Sequence, residues 1–268
     1  MTHCCQIFYG TIVKQEGGCI MSDRNIEYSD QFGFNSFKKE IIDELGEETW
    51  QRMILEIDLP DIEKESKCKC INMYTFMERF DQTVDKHTVN KILSRVRHGL
   101  KPSQCAWARE KFLKFKDLDT FIKESIKEGI DDFEKLHNEN KDFYGQPITE
   151  EVLDFIKQNP EMISGIREGN KMYFMAFPAN MKEYLSTADT RMKRYYACHC
   201  SFAKESILSD KIVSSTLCYC SLGHIKNFWE AVFDRELDGE VIASVLNGDS
   251  ACRYVVFLPD DVMKLYVK

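Results

Sequence analysis

The chain has no run of roughly 18 apolar residues, so no stretch of it reads as a membrane-spanning helix. Its first ten residues lack the charged start and long apolar core of a secretory signal, which points to the cytoplasm. Proline and glycine are scarce, 6 and 13 of 268 residues, which excludes collagen-like and Pro/Gly-rich low-complexity classes. There is no excess of positive charge: Lys and Arg number 36 against 44 Asp and Glu, a net charge of −8. The basic run at residues 191–194 is short. A surface that tracks phosphates needs clustered Lys and Arg, so nucleic acid is not an expected partner. Also missing are a Gly-rich phosphate loop, a His-Glu-x-x-His zincin pattern and a dinucleotide fingerprint.

What is present is enough apolar material for a core, 43% hydrophobic and 12% aromatic, and 11 cysteines. In a reducing cytoplasm those thiols point to metal binding or catalysis before a disulfide framework. Residues 1–20 are Cys- and Gly-rich without periodicity, whereas Met21-Ser22-Asp23 opens an ordinary chain. The codons for Glu16-Gly17-Gly18 can spell a ribosome-binding sequence. Residues 1–20 are therefore expected to be a non-native or disordered leader, and Cys4, Cys5 and Cys19 receive no role.

Residues 21–145 read as a helical domain. Phe37, Ile41, Ile42 and Leu45 recur at helical spacing, and Trp50, Met53, Ile54 and Ile57 continue it. Further helical stretches run from Ile71 through Phe80, over Val89 to Val96, from Pro102, and over residues 118–136. The polar run at residues 137–147 is the best linker. After a helix at residues 152–157 the period turns to two, with hairpins expected around Glu168-Gly169-Asn170 and around Asn247-Gly248-Asp249. Residues 194–202 read as a strand and residues 221–233 as a helix. The fold class is α+β: an N-terminal helical region followed, over residues 146–268, by an α/β ligand-binding domain with antiparallel hairpins.

The chemistry concentrates in that last part. Cys198-His199-Cys200 and Cys218-Tyr219-Cys220 lie twenty residues apart, and Cys252 follows. On an extended segment, residues i and i+2 share a face, so each repeat can aim two sulfurs at one point. Cys198, Cys200, Cys218 and Cys220 would then suit zinc, which favours soft sulfur ligands. The competing reading is that they are small apolar fillers, as buried cysteines often are. Cys220 also stands just before a helix, where a thiolate is favoured, and His224 is one turn on. A Cys220 nucleophile with a His224 base would make a thiol hydrolase. The alternative is a capped helix start with an ordinary histidine. Cys68-Lys69-Cys70 is expected in a loop, and Cys105 as a core thiol.

The segment from Cys218 to Pro259 resembles the closing part of 4-vinyl-reductase-like domains and of L-2-amino-thiazoline-4-carboxylic acid hydrolase-like proteins. The likeness rests on Cys218-x-Cys220-Ser221-x-Gly223, the aromatic helix Asn227-Phe228-Trp229-Glu230 and the run from Ser244 to Tyr254 with Gly248-Asp249 and Cys252. With Cys198-His199-Cys200 added, the pattern is similar to a Cys-rich family of anaerobes. The resemblance implies an α/β domain with a small-molecule pocket, sometimes beside a zinc. In zinc-bearing relatives a Glu and a Cys precede the last Cys. Those positions hold Val241 and Ser244, so only Cys252 carries over.

The expected function is a cytoplasmic small-molecule-binding or sensory protein with a Cys-lined pocket at Cys252, Trp229 and Tyr196, able to take zinc. The alternative is a thiol-dependent hydrolase of a small C–N or C–S substrate. A small-molecule ligand is the expected partner, a membrane is not, and a homodimer is compatible with the helical region.

Overall fold

A computed structural model describes residues 34–57, 66–96 and 105–268. The proposed leader and Pro102 lie outside them. The order begins with six helices: α1 (Phe34–Leu45), α2 (Glu47–Ile54), α3 (Ser66–Thr83), α4 (Lys86–Val96), α5 (Ala106–Phe115) and α6 (Leu118–Asn138). A two-residue pair, β1 (Asp142–Phe143) and β2 (Gln146–Pro147), leads into α7 (Glu150–Gln158) and the hairpin β3 (Ile166–Glu168) and β4 (Lys171–Met175). Then come α8 (Met181–Ser186), α9 (Thr190–Ala197), α10 (Tyr219–Phe233), β5 (Asp238–Ala243), β6 (Arg253–Phe257) and α11 (Asp260–Tyr266). The architecture is α+β, as its periodicities indicate.

Local chemistry explains the helices read well from sequence. Asp117 accepts the Thr120 N–H at 2.9 Å and starts α6, whose Leu118, Phe121, Ile122, Ser125, Gly129, Phe133 and Leu136 form one buried stripe. Thr149 caps α7 at Val152 N, Glu150 and Glu151 occupy its positive end, and Asn159-Pro160 stops it.

The strand expected at residues 194–202 is not formed. Asp189 caps α9 by accepting from the N–H groups of Arg191 and Met192, and residues 190–197 are helical. Cys198 is the C-cap of that helix. The last hairpin is also looser than a two-residue turn. A short 3-10 turn, Val245–Asn247, sits between β5 and β6, and Ser244 and Asp249 bracket it. Cys68 and Cys70 fall in the first turns of α3 rather than in a loop.

The four long strands form one antiparallel sheet in the order β3-β4-β6-β5. Met172 pairs with Val256 and Phe174 with Tyr254, and these four side chains are buried on one face. Helix α10 lies against that face, with Trp229 6.2 Å from the Phe174 ring. On its other sides α10 meets α4 and α5: Trp107 stacks edge-on against Phe228, and Arg109 donates to the Val232 carbonyl at 2.9 Å. The residues on either side of the expected boundary at 145/146 therefore share a core, which runs from Phe37 to Val262. The expected linker is itself packed. Phe143 lies 4.8 Å from Phe133, and Gln146 Oε1 accepts the Met181 N–H at 2.7 Å. Its polar composition reflects hydrogen bonding rather than flexibility.

Candidate functional site: a buried thiol cluster

Three segments carry the buried sulfurs of Cys218, Cys252 and Cys198. Cys218 ends a 3-10 turn, Ser215–Cys218, and is the N-cap residue of α10. Cys252 immediately precedes β6 and is fixed there by its carbonyl, which accepts the Ala176 N–H at 2.9 Å. Cys198 ends α9. The titrations of Cys218 and Cys252 are coupled to each other. Ser244 Oγ lies 3.1 Å from Cys218 Sγ and also accepts the Leu246 N–H at 3.1 Å. The charge of Cys198 is felt at Cys218, and that of Cys220 at the Tyr254 hydroxyl. Tyr254 follows Cys252 by two residues and points inward beside Ser221.

The pair is polarised. The Cys218 thiol, donating to Cys252, holds the Cys252 pKa below the ordinary thiol value against the cost of burial. The Val245 N–H and the Tyr254 hydroxyl donate to the same sulfur, while the Asp249 carboxylate opposes its charge. Cys218 is pushed well above the ordinary value, first by that hydrogen bond to Cys252 and then by burial. Tyr254 is also raised, by burial first and then by the sulfurs of Cys252 and Cys218. Hydrogen bonds to the charged form favour that form, and three donors on one sulfur do so together. Cys252 is thus the sulfur that loses its proton first, and Cys218 is its donor. Both are nearly enclosed, 9% and 8% exposed.

The other expected site residues are placed as follows. Cys220 and His224 are both buried and stand one turn apart on α10. Trp229 belongs to the aromatic core, ringed by Phe121, Phe174, Phe228 and Phe233 at 5.3–6.2 Å. Tyr196 is half-buried against Tyr195, and its carbonyl accepts the Asn180 N–H. Cys200 is half-buried in the turn after α9, where its carbonyl accepts from Ala203 and Lys204. His199 turns from the sulfurs to the Phe177 carbonyl, to which its Nε2–H donates. Burial lowers its pKa to about 4, Lys204 adds to that, and the Phe177 bond opposes it. The ring is neutral at physiological pH.

Among the described residues, no three His, Cys, Asp or Glu side chains form a set arranged to hold a metal ion. Tyr173 and Arg253 alternate with the inward-facing Phe174 and Tyr254. With Glu161, Ile166, Glu168 and Ile242, and an edge of Phe174, they line a groove of about 260 Å³. None of Cys252, Trp229 and Tyr196 lines that groove.

Sequence reasoning grouped the sulfurs by repeat and left Ser244, Val245 and Tyr254 without a role. The available signal was the alternation in Cys252-Arg253-Tyr254, which sends Tyr254 to the inner face of β6.

Residues 150–263 match the model of a family of unknown function, DUF6144. The matched stretch begins with α7, ends within α11 and contains Cys198, Cys200, Cys218, Cys220 and Cys252. No curated protein and no solved structure matches the chain.

Proposed function

We propose that this is a cytoplasmic small-molecule-binding or sensory protein whose working element is the thiol cluster, with Cys252 as the reactive sulfur. One observation carries the reading. The Cys252 pKa is held below the ordinary thiol value, by Cys218 first and then by Val245 and Tyr254, against the cost of burial; Cys218, its coupled partner, has its sulfur 3.1 Å from Ser244 Oγ. A cysteine serving only as apolar filler needs none of them. The likeness of the 218–259 segment to 4-vinyl-reductase-like domains supports the same class of function, a domain that takes a small molecule. Zinc is the metal such a sulfur set would take, and a homodimer the assembly to test by light scattering.

The experiment is a pH titration of the reduced protein, following thiolate ultraviolet absorbance, in the native chain and in Cys252→Ser. The variant is expected to lose the thiolate that appears first, below the ordinary cysteine range of about 8.5. An unchanged first step in the variant refutes the assignment. Repeating the titration with zinc added shows whether metal displaces the same proton.

The second reading is a thiol-dependent hydrolase of the L-2-amino-thiazoline-4-carboxylic acid hydrolase-like kind. It is favoured by Cys220 in the first turn of α10 with His224 one turn on. It requires turnover of a small C–N or C–S substrate that Cys220→Ser abolishes and Cys252→Ser spares.

A further inference from the structure

The groove of about 260 Å³ draws its lining from all four strands of the sheet. Ile166 of β3 stands directly opposite Tyr173 of β4, and Tyr173 opposite Val255 of β6. Cross-strand partners point to the same face, and Arg253, two residues before Val255, joins them. In β5 the exposed positions are Asp238, Glu240 and Ile242, and the register shifts between Val241 and Ala243. Ile242 thus forms the far wall. Three strand spacings separate β3 from β5, about 14 Å. The 3-10 turn Pro160–Met162 brings Glu161 to the same hollow.

The lining has an apolar middle and an acidic balance. Tyr173 and the edge of Phe174 lie between Ile166 and Ile242, which are 36% and 48% exposed. Single exposed apolar side chains are ordinary, but these two flank one hollow. Arg253 Nη1 donates to Glu161 Oε1 at 3.0 Å, so those two charges offset each other. Glu168 remains, with no hydrogen bond or ion pair to another of the described residues. Its cross-strand neighbour Lys171 holds its ammonium 5.8 Å over the Phe257 ring instead. Asp238 and Glu240 add negative charge to the same face.

We propose that this groove binds a small organic cation, a primary amine carried on a compact hydrocarbon body. The ammonium pairs with the Glu168 carboxylate. The hydrocarbon covers Ile166, Ile242 and the Tyr173 ring, whose face also attracts a cation. At about 30 Å³ for a water-sized group, the groove has room for roughly nine non-hydrogen atoms. A carboxylate of the same size would meet Glu161 and Glu168 against one guanidinium that is already engaged. The site lies apart from the thiols, and the inference goes beyond the thiol-cluster reading without resting on it.

The test is calorimetric titration of the full chain with three probes of one shape: 2-phenylethylamine, the neutral 2-phenylethanol and the anionic 3-phenylpropanoate. The amine is expected to bind with a Kd below about 1 mM. An exposed ion pair adds only a modest increment, so the amine should bind roughly fivefold more tightly than the alcohol, and the acid more weakly than either. Glu168→Gln should bring the amine down to the affinity of the alcohol. Ile242→Ser should weaken amine and alcohol by the same factor, and Leu265→Ser, which alters an exposed side chain outside the groove, should change nothing. Both groove positions are exposed, so the variants are expected to fold, and the three-probe comparison on the native chain needs no variant. No binding of the amine, tightest binding of the acid, or an amine affinity unmoved by both Glu168→Gln and Ile242→Ser would overturn the proposal. A native dimer that Ile242→Ser dissociates in light scattering would also overturn it, because a second copy of the chain would then cover this face. Cys252→Ser should bind the amine as the native chain does. Failure of the amine to bind therefore leaves the Cys252 titration unaffected, and failure of that titration leaves the groove unaffected.

Discussion

Protonation of His199 is expected to destabilise this protein in mild acid. The ring is half-buried after α9, its Nε2–H donating to the Phe177 carbonyl and the Lys204 ammonium nearby. Burial, then Lys204, lowers its pKa from 6.5 to about 4. A base with a depressed folded pKa stabilises the native state fully above its unfolded value, and that contribution disappears as pH falls through the folded value. The window therefore runs from about 6.5 down to about 4. A shift of that size is worth about 3 kcal/mol in full, of which about 2 kcal/mol is gone by a pH of about 5. The assay is urea unfolding at a series of pH values between neutrality and the lower end of that window. The comparison is His199→Gln, whose amide N–H can still donate to Phe177 but does not titrate. Native stability should fall more steeply than that of the variant by about 2 kcal/mol over the upper part of the window. Parallel curves for the two proteins would refute the buried, neutral assignment.

Two further outcomes follow from packing and burial. A Cβ on Gly223 would lie 2.2 Å from the Ser94 carbonyl oxygen, a backbone atom that cannot rotate away. Gly223→Ala must push α10 from α4 and should cost about 1–3 kcal/mol in urea unfolding, despite the better helix propensity of alanine; equal stability would mean the helices are not so close. Cys105, buried at the N-cap of α5, has its pKa pushed up to about 11 by desolvation. Its contribution is present below the ordinary thiol value and is lost as pH rises toward about 11. Native protein should lose about 2 kcal/mol more than Cys105→Ala over that alkaline range, and matching losses would contradict the assignment.

The helices at residues 118–138 and 150–158 were legible because a 3.6-residue stripe follows an Asp or Thr cap in each, and Asn159-Pro160 stops the second. Residues 190–197 were misread because Tyr196, Cys198, Cys200 and Phe202 favour a strand by type and alternate over a short window. Their helix is set by its Asp189 cap. It is then held in place by Arg191, which donates to the Ile207 and Ser209 carbonyls, and by Arg194, which donates to the Val245 carbonyl. These arginine contacts reach 16 to 51 residues along the chain. Such tertiary bonds are invisible to any local pattern.

The same geometry decides which thiols meet. Two residues apart on a strand share a face, but two residues apart on a helix are separated by about 200° around its axis. Cys218 and Cys220 straddle the start of α10, so the repeat does not act as a pincer. Cys218 is left to find its partner across the fold, and the chain supplies it by returning through β5 and the tight 244–249 turn. There Ser244 N–H donates to Asp249 at 2.8 Å and aligns Ser244 Oγ with Cys218. Cys252 arrives at the far end of that turn, where its titration is coupled to that of Cys218. Loosening the turn with Asp249→Ala is therefore a test of the coupling itself. The Ser244 N–H loses its acceptor, at a cost of about 1–3 kcal/mol, and the opposing charge at Cys252 disappears at the same time. If the turn sets the coupling, the first thiolate of the variant should appear at higher pH even though its Cys252 is freed of a nearby negative charge. An earlier first step would show that electrostatics, not the turn, governs the pair.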